Sequence, residues 1–348
     1  MTAVEETAGV DAEAACRARG GTSCRAHTRA YRDGQVIEEG FAVGRISDFL
    51  QQDGVAVWLD LEQPDTADLA AIAEELGLHP LAVEDAVNEH QRPKVDRYAD
   101  HLFMSSYVVA LGDDTAQTEI TEVAAFLTPR ALVTVRKGAG LQVEPLLARW
   151  DEAPPELSTH GVGFLVHGLL DLLVDGYFDA VQVLDEVIET LEDVLFDAKP
   201  RSTELQRRSF DVRKSLVMLR RVVLPMREVV NTLMRREVGV VTPDSLPYFQ
   251  DVYDHVLRAS EWTEGLRDLV GTILETNLTL QSNRLDISIG KLTAYAAILA
   301  VTTAITGFYG QNVPYPGFSQ PSGFVSSAVL LIGSVVGLFT LFKRKGYL

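Results

Sequence analysis

The sequence has few of the features that mark an enzyme or a secreted protein. Its 348 residues include only two cysteines, Cys16 and Cys24, which form no CxxC pair and no disulfide framework. A reducing compartment is therefore expected. No GxxxxGK[ST], HExxH or GxSxG motif occurs, so nothing indicates nucleotide hydrolysis, a zinc protease or a serine hydrolase. We expect no enzymatic activity and no organic cofactor.

Positive charge is also scarce. The chain has 31 Lys and Arg against 49 Asp and Glu, a formal net charge of −18. Binding to nucleic acid needs clustered Lys and Arg, so no nucleic-acid partner is expected, whereas the acidic excess suits a protein that handles cations. Residues 1–23 contain several acids and lack the apolar core of a signal peptide, and we expect them to be disordered.

Two stretches near the C-terminus lack charged residues altogether. Residues 292–310 and 324–342 are runs of nineteen residues each without Asp, Glu, Lys or Arg. As helices at ~1.5 Å per residue, each would be about 28 Å long, enough to cross the hydrocarbon core of a bilayer. Because one short segment separates them, we predict a transmembrane hairpin rather than two buried core helices.

The flanking charges predict the orientation of this hairpin. Lys291 precedes the first span, and a basic tail, residues 343–348, follows the second with Lys343, Arg344 and Lys345. The loop at 311–323 has no acidic or basic side chain. The positive-inside rule then puts both termini in the cytoplasm and the loop outside. We expect a multi-pass protein of the cell (inner) membrane.

Residues 24–155 have the mixed pattern of a cytosolic α/β domain. Asp33-Gly34 indicates a hairpin turn, and 66–76 indicates a helix that ends at Gly77. Apolar and β-branched runs predict strands at 56–59, 102–111, 121–127 and 132–135.

Two charge blocks follow, at residues 156–247. Residues 161–198 contain nine acidic residues and no Lys or Arg, whereas 199–236 contain eleven basic residues against three acidic ones, and Pro200 lies at the junction. Opposite charges on either side of a proline predict an antiparallel helical hairpin whose faces attract.

One long helix is predicted next, because no proline occurs between Pro247 and Pro314. A helix over 248–310 would be on the order of 90 Å long at ~1.5 Å per residue. It would serve as a stalk that continues without a break into the first transmembrane span. A helix of that length is not expected to stand alone, so it indicates a bundle or an oligomer.

The last part of this helix has a stripe of mostly small or weakly polar residues at helical spacing. Two interpretations stay open: a channel wall lined by small groups and hydroxyls, or a packing face, since small residues let transmembrane helices approach closely. The stripe consists of Asp286, Ile289, Thr293, Ala296, Ala300, Thr303, Gly307 and Gly310.

Several stretches resemble the CorA family of metal-ion transporters. The tetrapeptide YGQN at 309–312, directly after the first span, resembles that family's Tyr-Gly-Met-Asn signature. Similar stretches, in the family's order, are VWLDLEQP at 57–64, HPLAVEDAVNEHQRPKVDRY at 79–98, PYFQDVYDH at 247–255 and NRLDISIGKLT at 283–293. Together they cover most of the chain from about residue 40, a far more specific match than the signature alone.

The resemblance implies a fold, a function and partners. The fold is an α+β cytosolic domain followed by long stalk helices and two transmembrane helices, assembled as a funnel-shaped homopentamer. The function is influx of hydrated divalent cations, chiefly Mg²⁺, with Mg²⁺ both transported and regulatory. The implied partners are other copies of this chain, the lipid bilayer and divalent metal ions. Whether cobalt, nickel or zinc is also carried stays open.

The resemblance also assigns roles to residues. The selectivity mouth falls on Gly310, Gln311 and Asn312. The pore-lining positions are Asp286, Ile289, Leu292, Ala300 and Thr303. The regulatory metal site between subunits pairs Asp85 with Asp251, and Glu84 is a neighbour.

The chain departs from the family pattern at three places. Gln311 replaces the signature methionine, Val301 stands where many members have proline, and the loop VPYPGF lacks an acid that is frequent there. Two alternatives therefore stay open beside a magnesium channel: a zinc transporter of the ZntB type, and a membrane-tethered metal sensor that conducts nothing.

Overall fold

The computed structural model describes residues 24–88, 91–111, 118–138, 140–196, 202–235, 239–311 and 314–347. The expectations for residues 1–23, for Pro200 and for Asn312 fall outside these ranges. The chain divides into two compact units, Met1–Gly271 and Thr272–Leu348, here called the N-terminal and C-terminal units.

The N-terminal unit contains a seven-stranded sheet in the order β2-β1-β3-β7-β6-β5-β4. Strands β3 and β7 pair in parallel, and the other neighbours are antiparallel. The strands are β1 (Arg25–Arg32), β2 (Gln35–Glu39), β3 (Val55–Glu62), β4 (Lys94–Arg97), β5 (Leu102–Leu111), β6 (Thr118–Leu127) and β7 (Ala131–Arg136). All four predicted strands are confirmed as β3, β5, β6 and β7 or parts of them.

Local sequence explains where these elements begin and end. Asp33 and Gly34 both have positive φ, 52° and 77°, so they form the predicted hairpin turn between β1 and β2. Helix α2 (Thr66–Leu76) starts with a reciprocal cap between Asp65 and Asp68 and ends at Gly77, whose φ is 66°. The predicted helix is confirmed because a capping box and a left-handed glycine define both of its ends.

Further helices surround the sheet. A 3-10 turn, Val43–Arg45, precedes the short helix α1. The helices of the N-terminal unit besides α2 are α1 (Ile46–Leu50), α3 (Pro80–Val87), α4 (Val143–Asp151), α5 (Pro155–Ser158), α6 (Val162–Phe196) and α7 (Ser202–Met234).

A buried ion pair joins the two parallel strands. Asp60 on β3 accepts hydrogen bonds from Arg136 on β7, with 2.9 Å between Oδ2 and Nε, and the two side chains are 0% and 6% exposed. Thr134 donates to the same carboxylate at 2.7 Å. Because a buried charge is tolerated only with partners, these bonds pin the strands to one register.

The two charge blocks form the helices α6 and α7, which pack against each other. One ion pair of these helices lies within α7, between Arg208 and Glu204 at 3.3 Å, and others lead to other elements. Arg149 of α4 binds both Asp171 and Asp175 of α6, and Arg220 of α7 binds Glu264 at 3.2 Å.

The last two helices are α8 (Leu246–Tyr309), which passes from one unit into the other, and α9 (Pro321–Arg344). The single long helix is confirmed, with its ends one or two residues from the predicted ones. Both helices are long and apolar enough to span a membrane. In the most apolar stretch of each helix, only 6% and 0% of the residues are buried. The alternative of two buried core helices is thereby excluded for the described chain.

Candidate metal-ion pathway and regulatory site

Helix α3 carries two of the predicted regulatory residues, and its first turn is capped by a histidine. The Nδ1 atom of His79 accepts a hydrogen bond from the backbone N–H of Leu81 at 3.2 Å, and Pro80 occupies the first helical position, where its missing N–H costs nothing. About one turn further on, Glu84 is exposed and Asp85 is half-buried.

The Asp85 carboxylate already has a cationic partner. Lys94 of β4 lies 2.6 Å from Asp85 Oδ2 and 2.6 Å from Asp96 Oδ2. Burial by itself would lower the pKa of Lys94, but its bonds to the two carboxylates outweigh burial and raise the pKa. A charged ammonium group therefore occupies the place where a metal ion bound to Asp85 would have to enter.

Asp251 lies in the second turn of α8 among histidines. Its carboxylate is 67% exposed and 3.9 Å from Nδ1 of His255. His167 of α6 is also near, with its ring edge-on to Tyr248 and Phe249. Burial lowers the pKa of His167, and the charges of Asp171 and Asp251 oppose that change, so this histidine favours the neutral form.

One chain does not assemble a complete metal site from these residues. The ion-pair partner that the structure gives Asp85 is Lys94, whereas Asp251 has His255 and His167 as neighbours. Within the described ranges no group of three or more His, Cys, Asp and Glu side chains is placed to hold a metal ion. The regulatory pairing of Asp85 with Asp251 from a neighbouring copy therefore stays a prediction.

The predicted stripe on α8 stays uncovered within the chain. All eight of its residues are exposed, and so is the implied pore-lining residue Leu292. The covered residues of the same helix segment recur on another face; they include Gly290, Ala294, Ala297, Val301 and Ile305. At ~100° per residue, the mean direction of the stripe lies about 120° round the helix from that of these five residues. The chain's own packing therefore leaves the stripe free.

Threonines of α8 use their hydroxyl hydrogens within the helix. Thr303, on the stripe, donates to the Leu299 carbonyl at 2.8 Å. Thr302, on the side away from the stripe, donates to the carbonyls of Leu299 and Ile298 at 2.8 and 3.1 Å. A hydroxyl whose hydrogen is bound in this way keeps its oxygen lone pairs as acceptors.

The end of α8 places the motif residues in a turn. The Gly310 N–H donates to the Thr306 carbonyl at 2.9 Å, and the Gln311 N–H donates to that of Phe308 at 3.3 Å. Gln311 is exposed. The Tyr315 hydroxyl reaches back to the Tyr309 carbonyl at 3.3 Å, so the loop folds over the helix end.

Sequence reasoning missed Lys94, His167 and His255 as neighbours of the regulatory residues. The spacing of His255 four residues after Asp251 could have revealed that pair, since such residues meet on a helix face. Lys94 gave no such signal, because its contact with Asp85 depends on how β4 lies beside α3.

Comparisons with known proteins identify relatives over most of the chain. A family model described as "CorA-like Mg2+ transporter protein" matches residues 53–344. The protein YfjQ of Bacillus subtilis is 31% identical, with 85% of this chain and 91% of YfjQ covered. The cobalt/magnesium transport protein CorA of Thermotoga maritima is 29% identical, with 84% and 83% covered. Zinc transport proteins named ZntB also match, at lower identity.

The fold is similar to that of a solved transporter. The complete structure of the CorA magnesium transporter from Methanocaldococcus jannaschii superposes with a TM-score of 0.73 over 93% of this chain and 98% of that one, at 22% identity. The match spans the α/β domain, the long helix and the C-terminal helix. With an exposed stripe on its long helix and two helices able to span a bilayer, the chain belongs to the CorA-like Mg²⁺ transporter family.

Proposed function

We propose that this chain transports hydrated divalent metal cations, chiefly Mg²⁺, across the cell membrane through a pore formed by several copies of itself. The observation that carries the proposal is the free stripe on α8. Small and hydroxyl-bearing residues there face away from the chain's own packing partners and lead towards the GQN motif. Such a surface is suited to contact with a second copy of the chain or with an aqueous pathway.

The chemistry of the stripe fits an ion that keeps its water. Mg²⁺ gives up its hydration shell reluctantly, and its bound waters are hydrogen-bond donors. The Thr303 oxygen, whose own hydrogen is bound to Leu299, can accept from such a water. The acceptors that line a pore are then matched to the hydrated ion rather than to the bare one.

The mouth of the proposed pore is the motif Gly310-Gln311-Asn312. We assign Asn312 as the selectivity residue because a short amide can present its oxygen to the water shell, with Gly310 shaping the turn. A ring of amides attracts a hydrated cation without stripping it. The membrane potential drives entry, since moving a divalent ion across ~100 mV is worth about 4.6 kcal/mol, twice ~2.3 per charge.

The regulatory part of the proposal places Mg²⁺ between Asp85 of one subunit and Asp251 of its neighbour, with Glu84 close by. Carboxylate oxygens are ligands suited to Mg²⁺, and both Glu84 and Asp251 are accessible. The bound ion would convert the repulsion of two carboxylates into an attraction. High cytosolic Mg²⁺ then favours one symmetric closed arrangement.

The remaining parts of the proposal concern assembly, orientation and domains. We propose a homopentamer in the inner membrane with both termini in the cytoplasm, supported by the basic residues that flank both spans. The domain division proposed is 24–155 for the cytosolic α/β domain, 156–247 for the charged helical hairpin, 248–310 for the stalk with the first span, and 324–342 for the second span.

A flux assay tests the function. The full-length protein in liposomes should admit Mg²⁺ when an inside-negative potential is applied, and Asn312→Ala should abolish this influx while the oligomer still forms. Parallel measurements with Co²⁺, Ni²⁺ and Zn²⁺ define the ion range. If Asn312→Ala transports like the native protein, the pore does not lie at this mouth. If the native protein carries none of these ions, the sensor alternative gains support.

A zinc transporter is the second candidate, because Gln311 alters the signature and ZntB proteins are among the relatives. Methionine is a poor ligand for Mg²⁺, so we assign that position a packing role which glutamine, of similar length, can fill. The variant Gln311→Met should therefore change the ion preference only modestly. A switch from zinc-dominated to magnesium-dominated flux in this variant would favour the zinc candidate for the native protein.

A further inference from the structure

The last residues of the chain fold back from the end of α9. The Gly346 N–H donates to the Lys343 carbonyl at 3.2 Å and the Tyr347 N–H to the Phe342 carbonyl at 3.0 Å, while Gly346 has a φ of +77°. This is a Schellman motif, in which a left-handed glycine reverses the chain after a helix. The rings of Phe342 and Tyr347 are 6.4 Å apart, edge to face, which supplies the hydrophobic contact that accompanies the motif.

The reversed chain brings the Tyr347 ring onto α8 at a glycine. A Cβ atom added to Gly290 would lie 2.7 Å from Cδ1 and 3.2 Å from Cε1 of Tyr347, closer than side chains pack. The ring can therefore approach the helix backbone only because residue 290 has no side chain. Tyr347 is 45% exposed, so one side of the ring faces the helix and the other is open.

This contact lies at one end of the covered face of α8. From 282 to 289 every residue of the helix is exposed, whereas Gly290 is partly covered and Ala294 is 1% exposed. After this exposed stretch, the cover over α8 resumes where Tyr347 sits. Ile289 and Leu292, assigned above to the pore, flank this point along the chain.

We propose that Tyr347 is a positioning residue for conduction, which locks the end of α9 to the pore helix at Gly290. The proposal rests on the function proposed above, in which α8 lines the pore. While the ring occupies its notch, this part of α8 can move only together with α9. The lock reduces the number of arrangements open to α8, so less bound Mg²⁺ is needed to hold the closed one.

Flux measurements on the full-length protein in liposomes test the lock. Tyr347→Ala and Gly290→Ala should each raise the internal Mg²⁺ concentration that halves influx by about 2- to 10-fold, the range that corresponds to one aromatic contact. The double variant should shift it no further than either single one, because both remove the same contact. Tyr347→Phe, which keeps the ring, should behave as the native protein does. Gly337→Ala is the matched control, since a Cβ there meets nothing within 4 Å.

A second measurement separates the lock from the function. In detergent, the folded tail should resist trypsin at Lys343, Arg344 and Lys345, and Tyr347→Ala and Gly290→Ala should both accelerate that cleavage. Equal cleavage rates in native protein and variants overturn the lock whatever the flux. So do single-variant flux shifts that multiply in the double variant. Absent flux in the native protein, with tail protection intact, refutes the proposed function and leaves the contact standing.

Discussion

The Asp85 carboxylate is both partly buried and paired with a cation of its own chain. It is only 26% exposed, and it shares the Lys94 ammonium with Asp96 at 2.6 Å each. A metal ion approaching Asp85 thus competes with a cation that the chain itself supplies. The strength of that competition sets the Mg²⁺ concentration at which the proposed regulatory site fills.

Replacing the internal cation tests this competition. Lys94→Gln should lower the Mg²⁺ concentration that protects the protein from proteolysis about tenfold, since removing a cation beside two carboxylates is worth ~1–4 kcal/mol at such distances. Limited proteolysis at increasing Mg²⁺ measures it. Arg45→Gln is the control, because it removes an equal charge from an exposed ion pair with Glu38. Weaker protection in Lys94→Gln would mean that the lysine orders Asp85 instead of competing for it.

Helix α3 depends at its start on two histidines, His79 and His101. His101 is 2% exposed, and its Nε2 accepts from the His79 N–H at 3.4 Å. The rings of His79 and His101 both stack on the ring of Tyr98, with centroid distances of 4.6 and 4.9 Å. Burial, followed by the charge of His79, lowers the pKa of His101, and Asp100 opposes this. A protonated His101 could no longer accept that bond.

The lowered pKa of His101 predicts a loss of stability in acid. As the pH falls below about 6.5, the unfolded chain takes up a proton that the folded chain refuses, so the free energy of unfolding decreases. The melting temperature of the detergent-solubilised protein should fall between about pH 7.5 and about pH 5.5. In His101→Gln, whose amide oxygen can still accept, the fall should be smaller. An equal fall in both proteins would assign the acid sensitivity to another group, with His167 the first to examine.

The two faces of α8 make a matched comparison possible within one helix. Thr302 and Thr303 are adjacent, both bond their own backbone, and only Thr303 belongs to the free stripe. Thr303→Val, which keeps the shape and removes one acceptor per subunit, should reduce Mg²⁺ flux about 2- to 10-fold for a bond worth ~0.5–1.5 kcal/mol. Thr302→Val should leave the flux unchanged. Equal effects of the two changes on liposome influx would remove the stripe from the pore.

Among the helices and strands, the features that could be predicted from the sequence are those that residues close together in the chain determine. The ends of α2 and the β1–β2 turn depend on caps and glycines a few residues apart, and the two spans depend on continuous apolar runs. Strand β4 was missed because its four residues, KVDR, are mostly charged and pair only with one neighbour. Its contact with α3, and with it the Lys94 bond, is set by tertiary packing that no local pattern encodes. The stripe was visible as a period, and burial showed that the chain leaves it uncovered, together with positions off the stripe such as Tyr295 and Leu299.

The charge of the whole molecule bears on its assembly. With a formal charge of −18 per chain, copies that associate bring negative charge together, and the repulsion weakens any contact that has no cation in it. Several basic residues are already paired with acids of the same chain. Arg136 pairs with Asp60, and Arg149 pairs with Asp171 and Asp175. Divalent ions between copies, as proposed above, would supply the positive charge that such contacts need.

The proposed contact between copies predicts how Mg²⁺ affects the assembled protein. If Mg²⁺ bridges Asp85 of one copy to Asp251 of the next, high Mg²⁺ should protect the assembled protein from proteolysis, because bound ions favour the tightly packed state. The double variant Asp85→Asn with Asp251→Asn keeps the side-chain shapes and removes both charges, so it should lose this protection even at a tenfold higher Mg²⁺ concentration, a shift of ~1.4 kcal/mol or more. Each single variant should lose most of it too, since the site needs both halves. The comparison variant, Glu186→Gln with Glu189→Gln, removes two charges from the acidic helix α6 and should keep the protection. If instead the α6 variant lost the protection and the Asp85–Asp251 variant kept it, the sensor would lie in the acidic block at 175–193. Lys94 would then be an ordinary surface partner of Asp85.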